Sequence, residues 1–123
     1  MIIGQVNPRL EAVVAVIIQD NTGQTQTFNA VIDTGFSNYL TLPLAVIMAL
    51  QLTFAESRAF SLGDNKEVNF DLYEAVLLWD GEEREIMVLA SEAFPLIGMS
   101  LLKGFRLFVD VIDGGEVRIE RRT

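Results

Sequence analysis

The sequence predicts an all-β domain with one or two short helices. Turn signals recur at short intervals, and between them stand runs of alternating or continuous β-branched and aromatic residues, the pattern of a sheet built from hairpins. Asp20-Asn21-Thr22-Gly23 divides Leu10 to Gln19 from Gln24 to Ile32, and Gly63-Asp64-Asn65-Lys66 divides Ser57 to Leu62 from Glu67 to Trp79. Asp80-Gly81 joins that last run to Glu82 through Leu89, and Asp113-Gly114-Gly115 joins Arg106 to Ile112 with Glu116 to Arg121. Asp-Gly and Gly-Gly steps favour tight hairpins because glycine enters positive φ without a steric cost, so each turn predicts an antiparallel pair.

Within these runs Val13, Val14, Val16, Ile17 and Ile18 are nearly continuous and β-branched, which predicts a strand buried on both faces. Two segments depart from the β pattern. Leu44 to Leu50 follows Pro43 and is rich in helix formers, which predicts about two helical turns with proline at the first helical position. Met99 to Lys103, closed by Gly104, reads as a second short helix with a glycine cap. No internal repeat, linker or low-complexity tract is visible, so residues 1–123 are expected to form a single domain and not a duplicated two-lobed protein.

Composition narrows the chemistry. The chain of 123 residues is 50% hydrophobic and 21% charged, the balance of a folding domain. It contains no cysteine and no histidine. Thiol nucleophiles, disulfides, serine–histidine and cysteine–histidine catalysis and the preferred zinc and iron ligands are therefore all missing together, and neither a metal nor another cofactor is expected. Proton transfer must fall to carboxylates, tyrosines or lysines.

A net charge of −8, from 17 acidic and 9 basic residues, repels phosphate backbones, so nucleic acid is not an expected partner. The basic residues from Arg118 to Arg122 read as solvated strand positions. The N-terminal residues show no basic stretch followed by a long apolar core, and Leu40 to Leu52 is interrupted by Thr41, Pro43 and Gln51. Neither a secretory signal nor a membrane span is expected, which leaves a soluble, cytoplasmic protein as the reading.

The segment that carries chemistry is Ala30-Val31-Ile32-Asp33-Thr34-Gly35-Phe36-Ser37, a hydrophobic strand that ends abruptly in a carboxylate, a hydroxyl and a glycine. Taken by itself, the tripeptide is equally the sequence of an ordinary Asx turn in which Asp33 accepts backbone N–H groups. Further along, Ser61-Leu62-Gly63-Asp64-Asn65-Lys66-Glu67 has the makings of a hairpin tip, and Leu96-Ile97-Gly98-Met99-Ser100-Leu101-Leu102 sets two apolar residues and a glycine before a short helix.

In order and spacing these segments resemble the retropepsin-like aspartic proteases, especially their small single-domain cellular relatives, over roughly residues 10 to 120. The resemblance implies a closed β-barrel, the half-domain of an acid protease. It implies catalysis by Asp33, Thr34 and Gly35, with Ser37, Phe36, Leu62, Gly63, Asp64, Ile97 and Gly98 lining the substrate site. It further implies that Thr34 locks two such loops together by reciprocal hydrogen bonds and that Ser37 bonds the outer carboxylate oxygen. Two residues depart from the family pattern: Phe36 is bulkier than usual beside the catalytic loop, and the flap has a single glycine, Gly63.

Two carboxylates about 3 Å apart share one proton, so that one acts as base on a water while the other polarises the scissile carbonyl. Since the chain holds one Asp-Thr-Gly, the second carboxylate must come from a symmetry copy, and a homodimer acting on a peptide or protein substrate is expected. The alternative expectation is a catalytically inactive dimer of the same fold that binds peptides or serves in assembly. A small β-barrel with an incidental Asp-Thr-Gly turn is the third.

Other acidic residues have simpler explanations. Asp80 and Asp113 precede glycines in turns, while Glu56 and the Glu82-Glu83-Arg84-Glu85 cluster read as solvated charges. Asp110 is placed inside an apolar strand, Phe108 to Ile112, and Trp79 and Tyr73 are expected to pack in the core or at the flap base.

Overall fold

A computed structural model describes residues 1–61 and 64–123. It is mostly β-strand, 56%, with few helices, as the turn pattern predicts. The strands are β1 (Ile2–Val6), β2 (Ala12–Gln19), β3 (Thr25–Ile32), β4 (Leu40–Leu42), β5 (Thr53–Ser61), β6 (Glu67–Trp79), β7 (Glu82–Ala90), β8 (Leu96–Ile97), β9 (Phe105–Val109) and β10 (Glu116–Arg121). The helices are α1 (Leu44–Leu50) and α2 (Met99–Leu102).

The hairpin turns follow their chemistry. Asp80 and Gly81 adopt φ of 52° and 80°, the two positive values of a tight primed turn, and Trp79 pairs directly with Glu82 across it. At the β2–β3 connection the Asp20 carboxylate accepts the backbone N–H groups of Thr22 (2.8 Å) and Gln24 (3.1 Å) and the Thr22 hydroxyl (2.5 Å). These bonds to the charged form hold the Asp20 carboxyl below its ordinary value, the Thr22 hydroxyl being the largest cause.

The ten strands among the described residues join one sheet in the order β5-β6-β7-β4-β8-β3-β2-β1-β10-β9, and β6 pairs in addition with β2. The far end of β2 is thus hydrogen-bonded on both sides: Ile17 faces Thr27 of β3 and Leu78 of β6. Most pairs are antiparallel, but β3 runs parallel to β8 (Val31 beside Leu96, Ile32 beside Ile97) and β4 parallel to β7. The core gathers Val14, Val16, Ile18, Leu40, Leu42, Leu77, Ile97 and Ile119 with Ile47 and Leu50 of α1, all essentially without solvent exposure. Burying each such side chain contributes roughly 1.5–3 kcal/mol.

Several expectations are corrected in detail. In β2 burial alternates: Val14, Val16 and Ile18 are buried, whereas Ala15 is exposed and Val13 and Ile17 are half-buried. The strand is therefore not covered on both faces along its length. Pro43 is the residue before α1, with extended backbone (φ −61°, ψ 147°), and not its first helical residue. Its carbonyl accepts the N–H groups of Val46 and Ile47 (3.0 and 3.1 Å), which begins the helix.

Asp110 does not lie inside a strand. β9 stops at Val109, and the exposed Asp110 opens the turn to β10, its N–H donating to the Glu116 carbonyl (2.9 Å). Gly115 fits there because a side chain would meet the Asp110 carbonyl oxygen at 1.9 Å. No described helix is long and apolar enough to cross a membrane.

Candidate active site

Strand β3 delivers Asp33 to the end of the sheet. Its N–H donates to the Ile97 carbonyl (2.9 Å), and the chain then turns back on itself, the Phe36 N–H donating to the Asp33 carbonyl (3.1 Å). The Gly35 N–H donates to Asp33 Oδ1 (2.9 Å), so one carboxylate oxygen is held by the turn while Oδ2 has no partner among the described residues. Asp33 is half-buried; Thr34 and Gly35 are exposed. A side chain at Gly35 would bring its Cβ to 3.3 Å from Asp33 Oδ1, so glycine keeps the approach to the carboxylate open.

The loop after the turn is stitched to the β8–α2 junction. The Met99 N–H donates to the Phe36 carbonyl (2.8 Å), the Gly98 N–H to the Tyr39 carbonyl (3.0 Å) and the Ser100 N–H to the Asn38 carbonyl (3.3 Å). The Ser100 hydroxyl donates to the Ser37 carbonyl. Gly98 lies so close beneath this loop that a Cβ on it would sit 2.0 Å from the Asn38 carbonyl oxygen and 2.7 Å from the Phe36 ring. Two segments far apart in sequence, Asp33–Ser37 and Ile97–Gly98, are thereby packed together, with Ile97 and Gly98 buried and not lining an open surface.

The remaining predicted residues are placed less closely. The β5–β6 hairpin is long, and its outer residues, from Ser57 to Ser61 and from Glu67 to Asp71, are exposed or half-buried, with Phe60 set edge-on to Phe70 (5.8 Å). Asp64 lies in the turn at its end, where the Lys66 N–H donates to Asp64 Oδ1 (3.2 Å), and it makes no hydrogen bond or ion pair with residues 33–37. Leu62 and Gly63 fall outside the described residues. The Ser37 hydroxyl makes no hydrogen bond with Asp33, and the Thr34 hydroxyl has no partner among the described residues. At the hairpin's base Tyr73 is buried edge-on to Phe54 (5.6 Å); at the other end of β6 Trp79 is buried against Phe105 (6.1 Å), its indole N–H without a partner among the described residues.

One contributor is easily overlooked in the sequence. Thr41 is 3% exposed, and its hydroxyl accepts the Leu96 N–H (2.9 Å), fastening β8 in place just ahead of Ile97. A threonine between two leucines in a three-residue strand carries no motif; only the pairing of β4 with β8 reveals its task.

Depressions in the described surface include one of about 510 Å³ bordered by Asp20, Tyr39, Glu74 and Met87 and one of about 890 Å³ bordered by Pro8, Asn29, Phe94 and Gly114. Neither of these two includes any residue from Asp33 to Ser37. Among the described residues no three His, Cys, Asp or Glu side chains gather as a metal site. No second carboxyl group among the described residues makes a hydrogen bond with Asp33. Comparison with protein-family models, curated proteins and solved structures found no match.

Proposed function

We propose that this chain is one subunit of a retropepsin-like aspartic endopeptidase, active as a homodimer in which Asp33 faces its own copy. The observation that carries the reading is the Asp33-Thr34-Gly35 turn itself: a carboxylate with one free oxygen at the open end of β3, backed by Ile97 and Gly98. The closed-barrel expectation draws support from strand pairing, because β6-β7-β4-β8-β3-β2 returns to β6 through the Ile17–Leu78 register. The long β5–β6 hairpin supplies an arm of the kind a flap requires.

In such a dimer one aspartate takes a proton from water while the other, protonated, donates to the scissile carbonyl oxygen, and a C–O bond forms as the carbonyl π bond opens. The tetrahedral diol then collapses, returning one proton to a carboxylate and transferring another to the departing amine nitrogen, so no covalent enzyme intermediate arises. An extended peptide would lie between flap and dyad, its main chain pairing as an added strand.

The test is Asp33→Asn, which keeps an acceptor for the Gly35 N–H while abolishing the acid–base group. Peptide-library cleavage should vanish, with the β-sheet spectrum and the dimer retained, and wild-type turnover should be blocked by a statine-type mimic of the diol. Equal turnover by mutant and wild type removes the catalytic assignment. A second reading, a peptide-binding or assembly module without turnover, is favoured by the Phe36 ring beside the carboxylate turn and by the unengaged Ser37 hydroxyl. Peptide binding without cleavage at any pH would select it.

A further inference from the structure

Strand β9 is the last in the sheet, hydrogen-bonded to β10 and to no other strand among the described residues. Its ladder with β10 is regular, from Phe105 opposite Arg121 to Val109 opposite Val117. The bonds at the two ends fix which way its main-chain groups point. The Arg122 N–H donates to the Gly104 carbonyl (3.0 Å) and the Asp110 N–H to the Glu116 carbonyl (2.9 Å). In an antiparallel ladder hydrogen-bonded pairs alternate with non-bonded ones, so Gly104, Arg106, Phe108 and Asp110 turn their main chain to β10. Phe105, Leu107 and Val109 therefore turn their N–H and C=O groups outward, where none has a main-chain partner among the described residues.

Natural edge strands are commonly guarded by proline, a bulge or extreme shortness. The opposite edge, β5, has such a guard in the register shift between Phe54 and Glu56. Strand β9 has neither a proline nor a shift. Its side chains offer two faces to an added strand. Phe105, Leu107 and Val109 pack half-buried against the core cluster. Arg106 and Phe108 are exposed on the other face, where the Arg118 guanidinium lies over the Phe108 ring (4.8 Å).

Charge decides what fits this edge. The chain carries −8, yet the start of β9 is basic. Lys103 and Arg106 are exposed, as is Arg122 beside Gly104, and none of the three makes an ion pair among the described residues. A second copy of the chain, with its own −8 and the same cations on its β9, matches this edge less well than an acidic segment does.

We infer that β9 is the docking edge for an extended segment of a partner protein in which acidic residues alternate with apolar ones. The segment adds as an antiparallel strand, and its main chain takes up the outward groups of Phe105, Leu107 and Val109. Its apolar side chains extend the cover over the inner face, and its carboxylates meet Lys103, Arg106 and Arg122. Main-chain pairing supplies the affinity, and the cations set which segments are accepted. The inference stands apart from the hydrolytic reading, since β2, β1 and β10 come between β9 and the strand that delivers Asp33.

Titration of the full chain with a blocked peptide of alternating valine and glutamate tests this. Trp79, the chain's one tryptophan, lies edge-on to Phe105 (6.1 Å), so its fluorescence should change as the peptide binds. In the complex the amides of Phe105, Leu107 and Val109 should exchange more slowly with solvent, with those of β5 unchanged. Lysine in place of glutamate in the peptide should weaken binding roughly tenfold. So should methylation of the valine nitrogens, which face β9 in an antiparallel pairing, whereas methylation of the glutamate nitrogens should not. Arg106→Gln should weaken binding about threefold without moving the unfolding midpoint.

Absence of binding, a lysine peptide that binds as tightly, or two methylated peptides that both bind like the unmodified one overturns the inference. Slow exchange at β9 in concentrated wild type without peptide, lost on dilution, places a second copy on the edge and overturns the choice of partner.

Discussion

Gly98→Ala is the most informative single change, because the structure fixes both what the new methyl group meets and what must move. Its Cβ would lie 2.0 Å from the Asn38 carbonyl oxygen and 2.7 Å from Phe36 Cδ2, where ordinary contact begins at 3.4 Å. The ring can swing aside. The carbonyl is main chain, already bonded to the Ser100 N–H (3.3 Å), and has to retreat by the difference, 3.4 minus 2.0, about 1.4 Å. Overpacking of this kind costs about 1–3 kcal/mol, and a forced backbone shift belongs at the upper end, about 3 kcal/mol. For a domain of this size that lowers the melting temperature by roughly 10–15 °C.

The displaced segment is the loop that follows the Asp33 turn, so peptide cleavage should fall by about a hundredfold at temperatures where the variant is fully folded, in line with the effect of a misplacement near 1 Å. Calorimetry and a peptide-cleavage assay on the same preparation measure the two consequences. Phe36→Ala in the Gly98→Ala background removes only the softer of the two clashes, so most of the defect should persist. A Gly98→Ala protein within about 1 kcal/mol of wild type, with unaltered cleavage, refutes the close packing of the two segments on which the site description depends.

Two further variants probe the frame around the site. Thr41→Val leaves the half-buried Leu96 N–H without its acceptor and should destabilise the fold by about 1 kcal/mol in urea unfolding, whereas Thr41→Ser should retain most of the stability. Asp20→Asn tests the acid limb of stability. Because the folded-state pKa of Asp20 is depressed, its charge stabilises the fold above the ordinary value of 3.8, and that contribution is lost as pH falls through the lowered one. The variant should therefore be less stable than wild type at neutral pH, with the gap closing as the pH falls below 3.8; a gap that widens on acidification would contradict the hydrogen-bonding scheme at Thr22 and Gln24.

Local chemistry was legible where a turn or a helix is decided by its own residues. Asp80-Gly81 announces a two-residue hairpin because both positions need positive φ, and Leu44 to Leu50 forms a helix within the bounds its composition predicts. The Asp33 turn was legible as a turn, but its hydrogen bond from Gly35 is common to an Asx turn and a catalytic loop and does not separate them. What escaped the sequence is whatever depends on partners far along the chain. Strands β4 and β8 are only three and two residues long, and each exists because of its neighbours: Leu40 pairs with both Val88 and Ile97, and Val31 with Leu96. Strand β2 alternates in burial because one of its faces, Val14, Val16 and Ile18, packs on the core, which no run of valines and isoleucines reveals. Asp110 misled for the opposite reason, since apolar residues on both sides of it, Phe108 and Ile112, suggested a strand where a backbone turn onto Glu116 intervenes.

The arm formed by β5 and β6 has a thermodynamic life partly its own. On the tip side of Tyr73 the described residues of the two strands contribute none to the hydrophobic cluster, and the Phe60–Phe70 contact, the Ser57–Asp71 hydrogen bond and a two-stranded ladder join them. A ribbon of that make-up is marginal when isolated, so its amides should exchange through openings that leave the rest of the sheet intact. Such an arm is free to be lengthened, shortened or exchanged with little penalty to global unfolding, and selection acting on what it touches need not disturb the body that carries it.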